Sequence, residues 1–176
     1  MPSRLNYSCK INYGHVLVIG GDYGYAGAGI IAAQGAARTG AGLVSLATRP
    51  EHVAAMLTRQ PEVMAIGVSS GQELEPFLSR PSVLVLGPGL GTSAWSEQLL
   101  QRALDKKILT VIDADALNII SSKKLKISRE HAENCVITPH PGEAARLLNI
   151  SVKKVELDRI SAAIKLQKVY GTTVVL

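Results

Sequence analysis

A chain of 176 residues, 47% hydrophobic and 19% charged, has the make-up of one folded domain with a sizeable core and not that of a disordered or membrane-embedded chain. Its formal charge of +5 comes with a single Phe and a single Trp, too few rings to interleave with basic groups on a nucleic-acid surface; the surplus suits anionic small molecules such as nucleotides. Cys9 and Cys135 are too few for a disulfide framework, and neither has a companion at metal-ligand spacing, so a reducing, cytoplasmic setting and no zinc site are expected.

Residues 1–14 are polar, without the apolar centre of a secretory signal, and residues 1–13 read as a leader or the remnant of a linker from an upstream domain. Short apolar runs then recur at 15–19, 43–47, 63–66, 82–86, 108–112, 135–137 and 172–176. Several are apolar at successive positions, as in strands covered on both faces, and helical patterns separate them. The alternation predicts an α/β domain with a largely parallel sheet. No run is long enough to span a bilayer.

Between the first two strands, residues 27–39 are small almost all round and predict a helix buried close against the sheet. Thr48-Arg49-Pro50-Glu51 has capping-box spacing, with Pro50 in the first turn. Trp95 and Phe77 read as core or helix-packing residues. Lysines cluster at Lys123, Lys124 and Lys126 and at Lys153 and Lys154. From Lys153 onward Leu157, Ile160 and Ile164 repeat at helical spacing as an apolar face, and Gly171 stands where a glycine ends such a helix. The last run, 172–176, reads as a buried strand at which the chain stops, so truncation is expected.

Three strand-to-helix junctions carry candidate chemistry. Gly20-Gly21-Asp22-Tyr23-Gly24-Tyr25-Ala26-Gly27-Ala28-Gly29 lets a ligand approach backbone N–H groups at a helix start, or is simply a tight turn. It lacks the Walker lysine and fits G-x-G-x-x-G poorly. Gly87-Pro88-Gly89-Leu90-Gly91-Thr92 follows another strand, where open α/β sheets bind ligands, with Thr92 or Ser93 as the expected N-cap. The third junction is a pair, Asp113-Ala114-Asp115-Ala116-Leu117-Asn118 and Thr138-Pro139-His140-Pro141-Gly142-Glu143. In extended chain Asp113 and Asp115 share a side, which suits Mg2+ or hydroxyl recognition, or one of them caps the next helix. His140 is held between prolines, and Glu143 is placed to cap the helix starting near Pro141.

Taken in this order, Val16-Leu-Val-Ile-Gly-Gly, Ala26-Gly-Ala, Arg38-Thr-Gly-Ala-Gly-Leu-Val, Gly87-Pro-Gly-Leu-Gly, Asp113-Ala-Asp-Ala-Leu-Asn and Thr138-Pro-His-Pro-Gly-Glu resemble the signature series of the ADP-dependent NAD(P)H-hydrate dehydratases, over residues 13–176. The resemblance implies a ribokinase-like αβα sandwich, incomplete at its C-terminus. It also implies removal of water from hydrated NADH or NADPH (NADHX, NADPHX), with ADP and Mg2+ as co-substrate and cofactor and with AMP and phosphate released. Ala28, Gly87, Gly89 and His140 would bind the hydrated dinucleotide; Asp113, Asp115 and Glu143 would border the site. The family's Lys-Gly loop for ADP and its Gly-Gly-x-Gly-Asp turn, whose aspartate is the catalytic base, have no counterpart up to Leu176. Where the family shows His-Lys-Gly, this chain has Cys9-Lys10-Ile11. By the same resemblance a homo-oligomer and a fused upstream epimerase domain are expected. A ribokinase-like kinase of the hydroxyethylthiazole type and a non-catalytic dinucleotide-binding module are the other readings.

Overall fold

The computed structural model describes residues 9–123 and 125–176, so residues 1–8 of the expected leader and Lys124 lie outside the described residues. The seven apolar runs become β1 (His15–Ile19), β2 (Leu43–Thr48), β3 (Met64–Gly67), β4 (Val83–Leu86), β5 (Leu109–Ile112), β6 (Cys135–Ile137) and β7 (Thr173–Val174). They form one sheet in the order β3-β2-β1-β4-β5-β6-β7, with every neighbouring pair parallel. Parallel neighbours need crossovers, and helices supply them. They are α1 (Ala26–Arg38), α2 (Val53–Arg59), α3 (Gly71–Leu74), α4 (Ala94–Leu104), α5 (Ala114–Lys123), α6 (Arg129–Ala132), α7 (Pro141–Leu148), α8 (Val152–Leu157) and α9 (Arg159–Tyr170).

Strand alternation divides the apolar side chains between two layers. Leu17, Ile19, Leu84, Leu86, Ile112, Cys135 and Ile137 point to one face, where they meet Trp95, Leu99 and Leu100 of α4, Leu117 and Ile120 of α5, and Ala144 of α7 in the main core. Val18, Val44 and Leu46 point to the other face and form a smaller cluster with Ala33 of α1 and Met56 of α2. On that second face the cluster covers β1, β2 and β3 and reaches Val85 of β4. Val85, Val111 and Val136 are half-buried, while Leu109 and Val175 are 55% and 59% exposed.

Several local expectations change. The 172–176 run pairs with β6 over only Thr173–Val174 and lies at the sheet edge with Val175 exposed, so it is not a buried strand. The helix after β1 packs through Gly29 and Ala33 but leaves Ile31 69% exposed, so it is buried on one side only. Thr48 does not cap the turn at Pro50–His52; Arg49 holds the N-cap position, and the Thr48 hydroxyl donates to the Gly21 carbonyl at 2.7 Å. Phe77 is exposed whereas Trp95 is buried. The segment from Lys153 is two helices, broken at Asp158, whose carboxylate accepts from the Ser161 N–H at 2.9 Å. Their inward residues are Val155, Ala162 and Leu166; Leu157 and Ile160 face outward, 86% and 77% exposed. Gly171 ends α9 in the left-handed conformation, as its position predicts.

Candidate functional site

In this strand order the chain proceeds from β1 outward through β2 and β3, then returns to β4 and builds the other half. The loops leaving β1 and β4 therefore diverge, and the crevice between them is where open parallel sheets bind ligands. Both glycine-rich loops lie there. They are tied main chain to main chain: Gly21 N–H donates to the Pro88 carbonyl at 3.0 Å and Asp22 N–H to the Gly89 carbonyl at 2.7 Å. Gly89 adopts φ +60°, and a Cβ on it would lie 2.9 Å from the Ala28 methyl. Only glycine fits both the conformation and the gap. Ala28, in the first turn of α1, is exposed, and no side chain caps that helix start, so its N–H groups border the crevice. Gly87, at φ +120°, backs directly onto the Asp113 carbonyl and joins the second loop to the third.

The carboxyl ends of β5 and β6 bring the remaining candidates to the same edge. Asp113 ends β5 and accepts from the Thr138 hydroxyl at 2.9 Å, which links it to the loop after β6. Asp115 is already inside α5. The expected extended Asp113/Asp115 pair therefore does not form, because Ala114 turns into the helix with φ +47°. Asp115 accepts instead from Gly91 N–H at 2.9 Å and from the Asn118 amide at 3.2 Å, and Arg146 donates to the other end of Asn118 at 3.0 Å. Both acids brace loops. Among the described residues no three His, Cys, Asp or Glu side chains are grouped to hold a metal ion, so the donor set fits no protein-built Mg2+ cage.

His140 is the N-cap of α7. Its Nδ1 accepts from Gly142 N–H at 3.0 Å, its Nε2 lies 3.2 Å from Glu143 Oε1, and Glu143 accepts from His140 N–H at 2.9 Å. Glu143 is buried and caps the helix as expected, while the His140 ring stays largely exposed at the edge of the site. Ser93, the expected cap of α4, fills that role with Ser96.

Sequence reasoning missed the polar cluster at the back of the crevice. The Asp22 carboxylate, almost wholly buried, accepts from Arg49 Nε at 2.7 Å, from Tyr23 N–H at 2.8 Å and from the Ser93 hydroxyl at 2.9 Å. The Arg49 guanidinium lies between the Tyr23 and Trp95 rings, 4.5 and 4.1 Å from their centroids. Tyr23 donates to Glu51, and Trp95 to the Val68 carbonyl. Burial pushes the Asp22 carboxyl up, but the Arg49, Tyr23 and Ser93 hydrogen bonds outweigh it and hold the group below its ordinary value. No local pattern announces a pair 27 residues apart in the chain.

A sequence model of the NAD(P)H-hydrate dehydratase family matches residues 16–176. The chain is 47% identical over 176 residues to a bifunctional NAD(P)H-hydrate repair enzyme of Coxiella burnetii, which covers the whole chain and 35% of that protein. It is 34% identical over 164 residues to an ADP-dependent (S)-NAD(P)H-hydrate dehydratase of Streptococcus pneumoniae, covering 92% of the chain and 56% of that protein. The chain thus spans about a third to somewhat over half of these relatives. Among solved structures, a ribokinase-like superfamily protein of Enterococcus faecalis superposes with a TM-score of 0.88 at 30% identity, over 99% of this chain and 61% of that one. An ADP/ATP-dependent NAD(P)H-hydrate dehydratase of Bacillus subtilis, co-crystallised with ATP and Mg2+, shares the fold with a TM-score of 0.84 at 24% identity, over 100% of this chain and 62% of that one.

Proposed function

The chain belongs to the NAD(P)H-hydrate dehydratase family, and from that membership and the crevice geometry we propose that it supplies the dinucleotide half of an ADP-dependent dehydratase acting on hydrated NADH or NADPH. The observation that carries this reading is the convergence of Ala28, Gly87, Gly89 and His140 on one edge of the sheet, around the β1/β4 switch point. From β1 to β6 is three strand spacings, roughly 15 Å, long enough to lay out much of a dinucleotide. The small residues Ala28 and Gly89 let the ligand reach backbone N–H groups, and the exposed His140 ring offers a hydrogen bond at the far end.

Phosphoryl transfer is mainly positioning and charge stabilisation, which suits a site built from loops on a rigid sheet. Asp113 and Asp115 hold those loops in place and leave no metal cage; Mg2+ would arrive on the ADP phosphates. Neither a Lys-Gly loop nor a Gly-Gly-x-Gly-Asp turn occurs within the 176 residues. We therefore assign the ADP contacts and the base to polypeptide outside this segment. The thinly covered β5–β7 part of the second sheet face supports that division of labour. The word "bifunctional" in the relatives' names supports a second repair activity on the same polypeptide, an epimerase domain upstream of residues 14–176. No helix among the described residues is long and apolar enough to cross a membrane. The cytoplasmic setting we propose rests on a composition with two cysteines, too few for a disulfide framework.

Titration of the 176-residue chain with hydrated NADPH tests the reading. Saturable binding, reduced by Gly89→Val, is expected, with no ADP-driven return of reduced-nicotinamide absorbance. Absence of binding removes the assignment of the crevice, and turnover by this segment alone removes the division of labour.

A further inference from the structure

The buried charge pair behind the crevice does nothing that the preceding assignment of residues explains. We propose that Asp22 and Arg49 are positioning residues that clamp the β1 and β4 loops against each other, and with them the adjoining surface of Ala28 and Gly89 on which the dinucleotide is seated. The proposal rests on the reading of that crevice as the dinucleotide site.

Three loops meet on one carboxylate. Tyr23 N–H comes from the loop after β1, Arg49 from the start of the β2–α2 connection, and Ser93 from the loop after β4. The Ser96 hydroxyl adds a longer approach at 3.5 Å. Asp22 N–H is itself bound to the Gly89 carbonyl at 2.7 Å, so a shift of Asp22 moves the backbone that faces Ala28. The Asp22 carboxylate also occupies the space beside Gly91 of the second loop, where a Cβ would lie 3.0 Å from Asp22 Oδ2.

Arg49 fixes the orientation of that carboxylate. Its plane is held between the Tyr23 and Trp95 rings, so Nε has one direction in which to donate. The Arg49 and Asp22 side chains are 15% and 10% exposed, and a charge pair so far from water cannot exchange partners cheaply. The β1, β2 and β4 loops therefore move as one body. Neither side chain is bonded to Ala28 or Gly89; both act through the main chain.

The test uses the 176-residue chain and its only tryptophan, Trp95, which reports on the Arg49 plane beside it. Asp22→Asn, Arg49→Gln, the double variant, Arg49→Lys and the milder Ser93→Ala are compared by far-UV circular dichroism, acrylamide quenching of Trp95 and titration with hydrated NADPH. Folded Asp22→Asn and Arg49→Gln are expected to bind about tenfold more weakly and to quench more readily. The double variant should be no worse than either single, because both remove one coupling. Arg49→Lys keeps charge without the plane and should fall between. Ser93→Ala should weaken binding two- to threefold, which keeps the proposal testable if the charge variants do not fold. Wild-type affinity in folded variants, or losses that add, would overturn it. If the unsubstituted chain binds no hydrated NADPH, the functional reading fails by itself. The pair is then judged on Trp95, where unchanged quenching in both single variants overturns the clamp and an equal, non-additive rise in both supports it.

Discussion

His140 shows how one side chain carries two duties that sequence alone reads as one. Its flanking prolines and strand-end position mark it for the site, and from those residues alone replacement by Ala is expected to weaken substrate use and spare the fold. The structure adds that Nδ1 caps α7 through Gly142. His140→Ala should therefore also lower stability, by about 1 kcal/mol, the usual worth of a side-chain cap. Asn caps well, so His140→Asn should restore the melting temperature while binding of hydrated NADPH stays weak; recovery of both would take His140 out of the site. Asp22 makes a separate prediction in pH. Its folded value lies below its ordinary one, so the pair's stabilisation is present above the ordinary carboxylate range and is lost as pH falls through the depressed value. Between about pH 5 and pH 3 the unsubstituted chain should lose melting temperature faster than Asp22→Asn. Nearby Glu51 titrates in both chains and cancels in the comparison. Parallel curves would show that Asp22 carries no such linkage.

At the scale of elements, what was legible in the sequence was local. All seven strands announced themselves as short apolar runs, and Ser93, Glu143 and Gly171 sit in caps that residue type and spacing define. The glycine loops were legible as well, because strand-glycine-helix junctions can lie only at the carboxyl edge of a parallel sheet. What was not legible depended on contacts distant in sequence, as with Asp22 and Arg49, or on one residue overriding a period. Asp158 is such a residue: by capping α9 it breaks the helix started at Val152 and turns Leu157 and Ile160 outward. Two substitutions separate the alternatives. Leu157→Lys should change stability by no more than about 0.5 kcal/mol, as at exposed sites generally. Leu166→Ala, on the inward side of α9 and fully buried, should cost about 2–5 kcal/mol. Equal costs in chemical denaturation would restore the single-helix face that the spacing predicts.

For the whole molecule, the asymmetry of the two sheet faces governs behaviour in solution. A parallel sheet is ordinarily covered on both sides. Here α4, α5 and α7 pack the main core on one side, whereas the cluster on the other centres on α1 and α2. Half-buried Val85, Val111 and Val136 continue across to exposed Leu109 and Val175, and Ile31 on α1 adds a further exposed apolar group. An apolar surface of this kind associates or binds apolar probes, because removing it from water is favourable at roughly 25 cal/mol per Å2. The 176-residue chain should therefore enhance the fluorescence of an anilinonaphthalene sulfonate dye while retaining cooperative thermal unfolding, and should self-associate as concentration rises. Leu109→Lys with Val175→Lys places two charges on that strip at positions already open to water, so both effects should fall while the fold survives. A dye response that persists in the double variant would locate the sticky surface elsewhere. The outward-turned Leu157 and Ile160 would then be the next residues to charge.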